Sequence, residues 1–60
     1  MSKPLSVGAR VEIVSTPYGD VGSVGRLDEI DYDDILQPYR VVLDGGHVVW
    51  ATSVRLVGDR

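Results

Sequence analysis

The chain has 60 residues, a net charge of −3, 43% hydrophobic and 25% charged residues, and no cysteine. A chain this short makes one domain, has no disulfide or thiolate metal site, and must draw its stability from packing or from assembly, a homo-oligomer being one route. The acidic balance weighs against binding dominated by a phosphate backbone, and no apolar run reaches the ~18 residues that a membrane-spanning helix needs.

Residues 1–6 read as an N-terminal arm, with Leu5 placed to pin it to the rest. Met1-Ser2-Lys3-Pro4 lacks the apolar stretch of a signal peptide, so a cytoplasmic location is expected. Residues 7–60 form the single domain. Val7 to Ser15 predicts the first strand: Val11 and Ile13 share one face, Arg10, Glu12 and Val14 the other. Thr16 to Val21 is a loop punctuated by Pro17 and Gly19, with Tyr18 near its tip.

Val21 to Ile30 predicts the strand around which the chain is organised. Strict alternation separates Val24 from Leu27, and a bulge at Gly25 is the expected device that brings both to one face. Asp31 to Gln37 is a second loop. Asp28, Glu29, Asp31, Asp33 and Asp34 crowd like charges around Ile30 and Tyr32, which predicts an extended, solvated segment. Ile35 and Leu36 within it must cover something apolar, in this domain or on a partner.

Pro38 to Leu43 predicts a third strand, Asp44-Gly45-Gly46 a hairpin turn, and His47 to Ala51 a fourth strand. Thr52 and Ser53 predict a short 3₁₀ turn, and Val54 to Val57 a last strand. The expected core is Val11, Ile13, Val24, Leu27, Ile30, Tyr39, Val41, Leu43, Val49, Ala51, Val54 and Leu56. Short strands joined by tight turns predict an all-β, five-stranded barrel, and the connections are too short for parallel crossovers.

Gly22-Ser23-Val24-Gly25-Arg26-Leu27-Asp28-Glu29-Ile30 resembles the glycine-rich second strand of KOW-type and related SH3-like barrels. Pro38 to Gly46 resembles their next strand and turn, and Trp50 to Val57 their closing segment. The pattern is similar also to Mind-bomb-type barrels and to the electron-transport accessory barrels, and it covers residues 7–57. The resemblance implies an SH3-like barrel that binds protein, peptide or nucleic acid, with its first two loops near one another. The lysine-rich loop of the ribosomal KOW pattern is missing.

Catalysis finds little support. Ser2, Ser6, Ser15, Ser23 and Ser53 offer hydroxyls, but a hydroxyl nucleophile needs a base and an orienting group, and the single histidine, His47, reads as a solvated turn residue. An enzyme assembled around a shared pore is a third reading that no residue requires. The acidic loop fails the EF-hand pattern, because Asp33 and Tyr39 stand where that pattern needs glycine and glutamate. No cofactor or metal is expected.

Two constellations remain. Tyr18, Tyr32 and Trp50 would supply aromatic contact area, and Asp31, Asp33 and Asp34 would steer a protein partner with a basic surface. Val49 and Ala51 look like the core pair of their strand, which would turn Trp50 to the outer face; a Trp50 that caps the barrel is the equal alternative. Alternatively, Arg10, Arg26, Arg40 and Arg55, on four different strands, would form a stripe for nucleic acid. The competing arrangement for these arginines is a set of separate surface pairs with Glu12, Asp28 or Asp44. The preferred reading is a non-enzymatic protein-binding module, an accessory piece of a larger assembly. A KOW-type nucleic-acid-binding module is the alternative.

Overall fold

A computed structural model describes residues 5–58. Five strands appear: β1 (Arg10–Ser15), β2 (Val24–Ile30), β3 (Tyr39–Leu43), β4 (Val48–Ala51) and β5 (Ser53–Leu56). They form one antiparallel sheet in the order β4-β3-β2-β1-β5, and the described residues contain no helix. All five predicted strands are present, with shifted ends. Two bonds beyond the formal start of β1, from Gly8 N to Leu27 O and from Leu27 N to Ala9 O, carry its pairing toward the expected beginning.

The sheet curls without closing. β4 and β5 are its two edges, yet only Thr52 separates them in the chain. Flat strands at a spacing of about 4.8 Å would leave edge strands ~19 Å apart, while two residue steps span at most ~7 Å. The sheet must therefore bend until its edges meet at Thr52. Two bonds hold that corner: Thr52 N donates to Ser15 O, and Thr16 Oγ1 to Trp50 O. No ladder joins β4 to β5 among the described residues, so the closed barrel expected from the sequence is not what the pairing gives. The 3₁₀ turn expected at Thr52 and Ser53 is absent too. Thr52 is a single bend and Ser53 already pairs with Ser15, because the bond from Thr52 N to Ser15 O carries the β1–β5 ladder up to the corner.

Val11, Ile13, Leu27, Val41, Val49 and Ala51 are buried and form the core; Leu5, Ala9, Ile30, Tyr39, Leu43 and Val54 pack against it partly exposed. Two members of the expected core fall outside. Val24 is half-buried and not part of the cluster, and Leu56, near the chain's end on an edge strand, is 36% exposed. Leu5 belongs to the expected arm; its residues 1–4 lie outside the described residues, as do 59 and 60.

The bulge is not at Gly25. Gly25 pairs in regular register with Val11 on one side and Leu43 on the other, and shares the inner face with Leu27. The irregularity falls between Leu27 and Glu29, where Asp28 is the extra residue. It turns Leu27 and Ile30 inward together and leaves Asp28 and Glu29 both facing out, as a two-against-one bulge does. Glycine at position 25 has a different reason. A Cβ there would collide with Val42 O and lie 2.7 Å from Leu43 Cα, so only glycine lets β3 approach this closely. The β3–β4 hairpin follows its sequence signature. Gly46 N donates to Leu43 O, Leu43 N to His47 O, and Gly46 takes φ +91° at the end of the three-residue loop.

Candidate functional site

The β2–β3 loop is built by its own acids. Asp31 Oδ1 accepts from Asp33 N, and Asp34 Oδ1 accepts from both Leu36 N and Gln37 N. Asp34 N donates to Asp31 O, and Asp31 N to Pro38 O closes the base. The extended segment expected from charge repulsion is thus a series of tight turns, since short carboxylate side chains satisfy backbone donors better than they avoid one another. The turns push the apolar residues outward. Tyr32, Ile35 and Leu36 are 84%, 87% and 67% exposed, and Asp33 is exposed beside them. Among the described residues Ile35 and Leu36 are not packed against the core cluster.

On the sheet's outer face the charges meet one another. Arg10 grips Asp44 through two hydrogen bonds of 3.0 and 2.6 Å, and Arg55 reaches Glu12 at 2.7 Å, directly across the β1–β5 ladder. Arg40 sits opposite the β2 bulge, 2.8 Å from Asp28 and 3.8 Å from Glu29. Arg26 lies 3.9 Å from Asp28. The four arginines of the expected stripe therefore each lie beside a carboxylate, in surface pairs of which Arg26 and Arg40 share Asp28. Arg10's hydrogen bonds hold the Asp44 carboxyl below its ordinary value; desolvation opposes them, and the Arg10 charge adds to the lowering.

Trp50 lies on the outer face, half-buried, between core residues Val49 and Ala51 and across the ladder from Arg40. Tyr18, from the β1–β2 loop, shares with it a cavity of about 220 Å³ that is also lined by Asp20, His47, Val48 and Val49. One hydroxyl places both aromatic walls: Thr16 Oγ1 donates to Trp50 O and accepts from Tyr18 N at 3.2 Å. Tyr18 OH donates to Gln37 Oε1, which ties the first loop to the second.

Of the expected aromatic patch, Tyr18 and Trp50 come together and Tyr32 stands apart from their cavity. Asp31, Asp33 and Asp34 group with Tyr32 on the second loop instead. His47 is exposed on the cavity wall. Asp20 was not among the residues singled out from the sequence; its place two positions after Tyr18 in a glycine turn was the only signal. Among the described residues no three His, Asp or Glu side chains converge as a metal-ligand set. No family model, curated protein or solved structure matches this chain.

Proposed function

We propose that this chain is a non-enzymatic, SH3-like protein-binding module that recognises a basic protein surface through its β2–β3 loop, as a cytoplasmic accessory piece of a larger assembly. The observation that carries this is the exposure of Ile35 and Leu36 on an acidic loop, away from the core cluster of the described residues. Docking would remove that apolar area from water, and Asp33 with its neighbours would speed encounter with a basic partner. The strand order and the edges that meet at Thr52 support the SH3-like reading. The alternative, nucleic-acid binding, draws on Arg10 and Arg26, which face each other across the β1–β2 ladder. The carboxylate beside each arginine weakens it.

The test compares three baits in nuclease-treated and untreated lysate of the source: wild type, the triple Asp31, Asp33 and Asp34→Asn variant, and the double Ile35, Leu36→Ser variant. Asparagine keeps the Oδ1 acceptor, so the turns survive while the charge goes. A nuclease-resistant partner captured by wild type and lost from both variants supports the loop. Capture that nuclease abolishes, or sub-micromolar oligonucleotide binding that weakens on Arg26→Gln with Arg40→Gln, transfers the function to nucleic acid.

A further inference from the structure

Asp20 differs from every other half-buried acid of the described residues. Glu12 and Asp28 each receive an arginine, and the Asp31 and Asp34 carboxylates each accept backbone N–H groups. Asp20 engages only its backbone carbonyl, which accepts from Ser23 N. Its carboxylate has no hydrogen bond or ion pair among the described residues, and it borders the cavity between Tyr18 and Trp50. An acid deprived of part of its water and given no cation lowers its free energy when a cation arrives.

We propose that this cavity binds a single arginine side chain from a protein partner. The identification rests on the reading that the partner is basic and specifies where one of its cations goes. A guanidinium is flat, stacks on aromatic faces and offers a fork of N–H donors to a carboxylate. Tyr18 and Trp50 supply the faces and Asp20 the acceptor. A cavity of about 220 Å³ exceeds the ~150 Å³ that admits a benzene ring, so the guanidinium and its adjoining methylenes fit. The walls are held before anything binds, by Thr16 Oγ1 on Tyr18 N and Trp50 O and by Gln37 on the Tyr18 hydroxyl. An ammonium has the charge without the plane, so lysine binds less well.

Trp50 is the only tryptophan, so its fluorescence and its indole N–H resonance report on the cavity alone. The probe is an acetylated, amidated glycine pentapeptide with a central arginine, titrated alongside its lysine and citrulline counterparts. The arginine peptide is expected to move both Trp50 signals saturably, with a dissociation constant of about 1 mM. Asp20→Asn and Tyr18→Ala should each weaken it about tenfold, the scale of a charge-assisted contact. The triple asparagine variant of the β2–β3 loop should change it less than about twofold at moderate salt. A backbone amide spectrum of each variant confirms that it is folded. Equal binding of citrulline, or no effect of Asp20→Asn, overturns the proposal, and equal binding of lysine overturns the choice of arginine. Shifts confined to residues 31–36 overturn the cavity while leaving the loop reading in place. Loss of loop-dependent capture with the Trp50 response intact does the reverse.

Discussion

β2 and the loop that follows it are consecutive stretches of similar chemistry with opposite fates. β2 carries Val24, Leu27 and Ile30 with Asp28 and Glu29; residues 31–37 carry Tyr32, Ile35 and Leu36 with three aspartates. In β2, ladders on both sides hold the backbone, Leu27 is fully buried, and the acids meet Arg40 across the strand pair. In the loop the acids satisfy the backbone themselves, and Leu36 stays 67% exposed. What separates them is where the backbone N–H groups find acceptors. A neighbouring strand imposes a register that sorts side chains by face, whereas local carboxylates impose turns with no inner face to fill.

The sharpest break in that comparison is the leucine pair. Leu27→Ala should cost about 2–5 kcal/mol, the range for a truncated core leucine, and Leu36→Ala less than about 0.5 kcal/mol, as for surface positions. Denaturant midpoints of the two variants decide it, and equal losses would show that the loop packs onto the domain.

Gly25→Val comes next. It raises strand propensity yet should destabilise by about 1–3 kcal/mol or more, because the new side chain meets the β3 backbone at Val42 and Leu43. An unchanged midpoint would mean that β3 can move away, and that the tight β2–β3 approach does not set β2 apart from the loop. Arg40→Gln tests the charge pairing on the β2 side. Arg40 and Asp28 are both about a third exposed, and solvent screening keeps the loss to about 1 kcal/mol or less. Added salt should shrink the difference between wild type and variant.

The smallest effect concerns Asp44, which Arg10 holds from the far side of β2. The pKa of Asp44 is lowered in the folded state, so the Arg10–Asp44 pair contributes its stability above the ordinary carboxylate range. That contribution fades as pH falls through the ordinary value to the lowered one. In Arg10→Gln the Asp44 carboxyl, followed by NMR titration, should return toward its usual range and the acid-side slope of stability should flatten slightly.

Much of the site was legible residue by residue and little of it as an arrangement. Val49 and Ala51 alternate with Trp50, which left the tryptophan open between the outer face and a cap on the barrel until the fold put it outside. That Trp50 meets Tyr18, and that Asp20 rather than Tyr32 joins them, depends on how the β1–β2 loop folds over β4. Thr16 makes that fold with one hydroxyl reaching across 34 positions of the chain, and no local pattern announces it.

By itself the sequence determined the number of strands and their order along the chain, the inner face of β1, β3 and β4, and the Asp44-Gly45-Gly46 hairpin. These follow from period-two patterning and turn chemistry, which act over a few neighbouring residues. The tertiary structure decided the rest. It placed the bulge at Asp28 and set a carboxylate beside Arg10, Arg26, Arg40 and Arg55. It made Gly25 a point of close approach and left Ile35 and Leu36 largely exposed. Each of those depends on which backbone groups from distant segments come to face one another, and the register of antiparallel pairing sets that only once the whole sheet has formed.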